Sequence, residues 1–144
     1  MARGTVLLDG AMATSLFARG LATDAPPGAW NLTHPDDVRA VHAGFLAAGC
    51  EVIETNSFLL EGLEPSCVRA AARLAREAVE AHGGGHVAGN IGPLPPGTPL
   101  EAVPTLIDPV ARTLAEEGVD WISLETLSDL NLAGLADLRG FQVI

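Results

Sequence analysis

Three carboxylates in this chain stand at the ends of apolar runs. Asp9 closes TVLLD (5–9), Glu54 lies near the end of CEVIET (50–55), and Glu125 near the end of WISLET (121–126). Two of them open short polar strings, Glu54-Thr55-Asn56 and Glu125-Thr126. Acids in such places, with hydroxyl and amide neighbours and the backbone N–H groups after Gly10, suit a zwitterion. The carboxylates take an ammonium, and N–H groups at a helix start take a carboxylate. Charge alone therefore points to an amino acid ligand. The competing reading is that each acid caps the helix following its strand.

For the three acids to meet, the runs that carry them must be neighbouring strands. TVLLD is short, apolar and rich in β-formers, and AMATSLFARG after it favours helix up to Gly20. ATDAPPGAWN (22–31) is a Pro/Gly loop, and THPDDVRAVHAGFLAAG (33–49) is a helix capped by Thr33 or His34 ahead of Pro35. Val38, Val41, Phe45 and Leu46 fall on one face of that helix. CEVIET is the second strand and NSFLLEGLEPS a loop. CVRAAARLAREAVEAHGGG (67–85) is a helix with Val68, Ala72, Ala75 and Val79 on one stripe. HVAGNI (86–91) is the third strand and GPLPPGTP a loop; IDPVARTLAEEG (107–118) is a helix with Asp108 as cap and Pro109 in its first turn. VDWISLET is the fourth strand. SDLNLAGLADLRG reads as a short helix from Ser128 or Asp129, and FQVI (141–144) as the opening of a fifth strand.

This alternation predicts a single α/β domain over residues 1–144, with parallel strands joined by right-handed helical crossovers. The strands are apolar on consecutive residues, as expected when both sheet faces are covered. An open doubly wound sheet and part of a (β/α)8 TIM barrel both fit. In either, ligands gather at the C-terminal strand ends. That rule puts Asp9, Glu54, Thr55, Asn56, Asn90, Glu125 and Thr126 on one rim.

Composition narrows the partners. The net charge is -10, and the 8 basic residues are all arginines scattered along the chain, so no stripe exists to neutralise phosphates. Nucleic acid and anionic membranes are thereby disfavoured. At 48% hydrophobic and 18% charged residues the chain should fold compactly. No apolar run approaches the roughly 18 residues of a membrane span, and MARGTVLLDG lacks the pattern of a signal peptide, so a cytoplasmic protein is expected. Cys50 and Cys67 have neither CxxC spacing nor disulfide density, and small, buried, reduced thiols are expected. His34, His42, His82 and His86 make no metal-ligand spacing; His34 fits a cap and His42 a helix surface or packing position. DGAMAT after the first strand is not a GxGxxG turn, and no P-loop occurs.

LLDGAMAT with the following ARGL, then WNLTHPDDV, VHAGFLAAGCEVIETNSF, AARLAREA, VAGNIGPL and GVDWISLETLSDL occur in that order. Together they resemble the homocysteine S-methyltransferase family, and LLDGAM and the IETNSF block are the most specific pieces. The resemblance implies a (β/α)8 barrel and zinc-dependent methyl transfer to the homocysteine thiol, giving methionine. Zinc held by three cysteines lowers the thiol pKa so that a thiolate nucleophile exists at neutral pH. It further implies that Asp9 and Glu125 hold the homocysteine ammonium and that amides around Gly10 and Ala11 receive its carboxylate. Glu54, Thr55 and Asn56 would line the pocket.

The family's domain is about twice as long, and its zinc cysteines would fall beyond residue 144. Cys50 and Cys67 do not match them. The expectation is therefore half a barrel, four βα units and the start of a fifth strand, with no catalytic or metal-ligating residue of its own. The loop after Phe58 is short for the family, and the methyl donor is left unassigned. Open strand edges should favour homo-oligomers. Two functions compete: an enzyme of the methyltransferase type whose amino-acid-binding half lies here, or a non-catalytic ligand-binding or self-assembling module. A barrel enzyme using the acids on a divalent metal ranks last.

Overall fold

The computed structural model describes residues 5–59 and 64–126. Its centre is a parallel sheet of three strands, β1 (Val52–Glu54), β2 (His86–Ile91) and β3 (Trp121–Leu124), lying in chain order. Val52 pairs with His86, and Ala88 with Trp121. The first apolar run joins the outer side of β1 through a single parallel bridge between Leu8 and Val52. Asp9 N–H donates to Val52 O at 3.0 Å and Glu51 N–H to Leu7 O at 2.9 Å. Among the described residues four extended segments thus follow one another in chain order, without the reversal that marks a doubly wound sheet. The first is less than a full strand: Val6, Leu7 and Leu8 are 52%, 52% and 39% exposed, so little packing holds the run against the sheet.

Among the described residues five helices accompany the strands: α1 (Met12–Phe17), α2 (Trp30–Thr33), α3 (Pro35–Ala47), α4 (Pro65–His82) and α5 (Val103–Glu116). α3 starts as its sequence dictates, with Pro35 in its first turn and Asp36 and Asp37 facing the positive end of the helix dipole. Its N-cap is His34, whose side chain makes no capping bond and instead stacks on Trp30 with ring centroids 4.1 Å apart. α4 ends at Gly83, whose φ of 87° is the left-handed conformation that glycine adopts without a Cβ penalty. Apolar faces of α4 and α5 close over β2 and β3, with Val68, Ala72, Ile91, Ile107, Leu114 and Ile122 in one cluster. Leu46, Ile53, Ala75, Ala78 and Val87 form a second under β1. No helix among the described residues is long and apolar enough to cross a membrane.

Several elements differ from the sequence expectation. α5 begins at Val103, so Asp108 does not cap it and Pro109 sits inside it. The reason is the stripe Val103, Ile107, Ala111 and Leu114, all buried at helical spacing. Its burial extends the helix upstream of the proline and outweighs the lost N–H. The 22–31 stretch is not all loop, because a 3-10 turn at Pro27–Ala29 leads into α2. Cys50 and Cys67 are half-buried instead of buried. His42 is a packing residue, 0% exposed, and neither ring nitrogen has a partner among the described residues. The helix expected from Ser128 or Asp129 and the fifth strand at 141–144 lie outside the described residues.

Candidate functional site

β1 stops at Glu54 because the chain there turns from ladder bonds to hydroxyl bonds. Thr55 N–H still donates to Ala88 O at 2.9 Å. Beyond it, Asn90 N–H donates to Thr55 Oγ1 at 2.9 Å, and Ser57 Oγ donates to Asn90 O at 2.7 Å. The 2.6 Å contact between Thr55 and Ser57 hydroxyls must then have threonine as donor, since the serine proton is already committed. This closed relay fixes the tips of β1 and β2 while their side chains turn to the rim.

Asp9, Glu54 and Glu125 meet at that rim. Glu54 N–H donates to Asp9 Oδ2 at 3.1 Å. Asn90 Nδ2 donates to Glu54 Oε2 at 3.1 Å and to Glu125 Oε2 at 2.9 Å, so one amide group holds two carboxylates together. Glu125 N–H extends the β2–β3 ladder to Ile91 O at 2.9 Å. Thr126 then takes φ 58°, a left-handed conformation that a β-branched residue rarely adopts, immediately after the rim acid.

Among the described residues no cation pairs with the trio. Burial pushes the Asp9 carboxyl up from 3.8 to about 7; the bond from Glu54 N–H pulls the other way, and the Glu54 and Glu125 charges push it further up. Burial also raises Glu54, opposed by a bond with Ser123, raised by the Glu125 charge and opposed again by Asn90. Among the described residues, the buried side-chain oxygens without a partner are Asp9 Oδ1 and Asn90 Oδ1. Acceptors outnumber donors here, which is the demand an ammonium meets.

The other nominated residues divide. Gly10 and Ala11 are exposed where the chain enters α1, and a Cβ on Gly10 would lie 3.3 Å from the Phe45 ring, so the turn packs closely on α3. Thr55 is buried in the hydroxyl relay. Asn56 lies on a different network: its Nδ2 donates to Pro27 O at 2.8 Å and to Asn31 Oδ1 at 2.9 Å, while Asn31 Nδ2 donates to Asn56 O at 2.8 Å. This paired-amide lock ties α2 to the loop after β1. Sequence reasoning missed Asn31, Ser57 and Ser123, and it put Asn90 on the rim without a role.

A groove of about 400 Å³ elsewhere, lined in part by Arg39, Arg69 and Arg73, is not a competing anion site. Arg39 Nε pairs with Glu77 at 2.6 Å, Arg73 Nε with Glu117 at 2.9 Å, and Arg69 with Glu116 at 3.2 Å. For a metal, the described residues contain no group of three or more His, Cys, Asp or Glu placed to hold one. Cys50 precedes β1 and donates through Sγ to Leu8 O at 3.4 Å, whereas Cys67 sits in the first turn of α4. The described residues hold only these two thiols, in different elements, and so do not fit a three-cysteine zinc centre.

No curated protein matches the chain significantly. Three solved structures of the homocysteine methyltransferase MmuM from Escherichia coli are similar. The apo form has a TM-score of 0.78 at 30% identity over 93% of this chain and 54% of that one. The metallated form has 0.79 at 26% over 90% and 57%, and the oxidized form 0.79 at 28% over 90% and 56%. The chain thus spans little more than half the length of the relatives it matches. The family model described as Homocysteine S-methyltransferase matches residues 6–140, and the chain belongs to that family.

Proposed function

We propose that this chain carries the amino-acid-binding part of a homocysteine S-methyltransferase site, built as four βα units of a (β/α)8 barrel. Asp9 and Glu125 hold the ammonium of homocysteine, and backbone amides around Gly10 and Ala11 face its carboxylate. Glu54 shapes the floor and adds negative potential, while Thr55 and Asn56 brace the strand tip from behind. The observation that carries this reading is Asp9 Oδ1, a buried acceptor without a donor among the described residues, set in a cluster of three acids. A cation satisfies it, and the MmuM relatives, homocysteine methyltransferases, supply the substrate class. No step of methyl transfer is assigned to the described residues, whose part is to bind and orient the amino acid.

The experiment is calorimetric titration of the chain with L-homocysteine under reductant. Saturable binding that falls at least tenfold in both D9N and E125Q is expected. Binding unchanged by either substitution removes these residues from the site.

The exposed row Val6, Leu7 and Leu8 on the outer edge of the sheet is the surface a second copy would cover, edge to edge. Light scattering at micromolar concentration should give a dimeric mass; a monomeric mass contradicts the pairing.

A further inference from the structure

We propose that Asn90 is a ligand-binding residue that gives the site its preference for a primary ammonium, its Oδ1 serving as an uncharged acceptor beside the Asp9 and Glu125 carboxylates. This rests on the amino-acid reading above and goes beyond it by naming the group that makes the site selective.

Asn90 is held unusually firmly. Its N–H is bound by Thr55 Oγ1 at 2.9 Å, its C=O by Ser57 Oγ at 2.7 Å, and the residue is only 5% exposed. Nδ2 donates to Glu54 Oε2 and Glu125 Oε2 at 3.1 and 2.9 Å. Ionised carboxylates only accept, so the amide cannot be flipped without setting oxygen against oxygen. The two bonds thereby fix which end of the amide is oxygen. Oδ1 is buried and has no donor among the described residues, a state it shares there with a single other side-chain oxygen, Asp9 Oδ1. Both orphans are anchored on Glu54, one residue through its backbone N–H and the other through its carboxylate.

An ammonium carries three N–H donors and is best held by three acceptors. Asp9 Oδ1, Asn90 Oδ1 and the exposed Glu125 carboxylate supply them. A fourth carboxylate in place of Asn90 would add repulsion and lose the donors that hold Glu54 and Glu125 together. A residue without an acceptor would leave one N–H of the ligand unpaired in a partly buried site. The amide does both tasks.

The test compares L-methionine with its desamino analogue 4-(methylsulfanyl)butanoate by calorimetry, using the full chain, N90A and N90S, with circular dichroism as folding control. The unaltered chain should bind methionine more tightly than the analogue. In N90A and N90S the affinity for methionine should drop about 10- to 100-fold, the range for a bond to a charged group, while that for the analogue stays within about twofold. If the two ligands lose affinity together, or neither does, Asn90 is structural and the proposal is overturned, although the amino-acid site itself stands. If the unaltered chain binds neither methionine nor homocysteine, the site reading fails and the proposal fails with it. Should both variants unfold, the side-chain amide signals of Asn90 in the unaltered chain decide: a shift on adding methionine that the analogue does not produce supports the role, and no shift overturns it.

Discussion

Replacing Asp9 by asparagine should make the empty protein more stable at pH 8 while destroying its site. The carboxyl of Asp9 stands at about 7 in the folded chain against 3.8 ordinarily, chiefly through burial. A group raised on folding favours the native state below its unfolded value, and that contribution is lost as pH climbs through the folded value. The window therefore runs from about 4 to about 7. At about 1.36 kcal/mol per unit, the full gap is worth about 4 kcal/mol in a dry site; with the rim open to water, screening brings it to about 2 kcal/mol. The substituted amide keeps an acceptor for Glu54 N–H and adds a donor toward the neighbouring acids. Urea unfolding followed by circular dichroism should show D9N about 2 kcal/mol more stable than the native chain at pH 8. The gap should shrink by more than half at pH 5 and vanish near pH 4. A D9N protein that is less stable at pH 8, or whose advantage does not depend on pH, refutes the idea that the rim lacks a cation.

Other perturbations test other joints. His42 is buried and, among the described residues, unpaired, and burial lowers its pKa from 6.5 to about 4, so it should erode stability as pH falls from 6.5 towards 4. Asp9 acts in the opposite sense over much of that range, so the effect shows by difference: H42L should gain on the native chain by about 2 kcal/mol or more between pH 7 and pH 4 in urea unfolding. Asn31→Ala removes donors from Asn56 O and Cys67 O and an acceptor from Asn56 Nδ2, and thermal melts should register a loss of about 2–3 kcal/mol. Thr55→Val opens the hydroxyl relay at both ends and should cost a comparable amount. Gly92→Ala would drive a Cβ into the Phe58 carbonyl oxygen, so the loop after β1 must shift, and amino-acid binding should be lost even where the far-ultraviolet spectrum is kept.

The α/β alternation was legible because strands and helices announce themselves through apolar period and Gly/Pro punctuation, and the three rim acids because each closes such a run. Pro109 shows the limit of punctuation. Asp-Pro is a good helix start, yet the buried stripe from Val103 decides where α5 begins, and stripes compete with single residues only once packing is known. Asn31 was unreadable for another reason: its partner Asn56 lies 25 positions away, and nothing local distinguishes a locked asparagine from a solvated one. The bonding of Asn90 was hidden likewise, since an amide shared by two carboxylates becomes visible only after its neighbours have been placed. Family resemblance carried the choice of Asp9 and Glu125; geometry added the amide that binds Glu54 to Glu125.

The most direct test of the amino-acid site is a crystal structure of the chain soaked with L-methionine. The ligand nitrogen should lie about 2.7–3.1 Å from oxygens of both Asp9 and Glu125, with its carboxylate toward the amides of Gly10 and Ala11. A ligand bound elsewhere, or bound at the rim with its carboxylate toward the three acids, would contradict it.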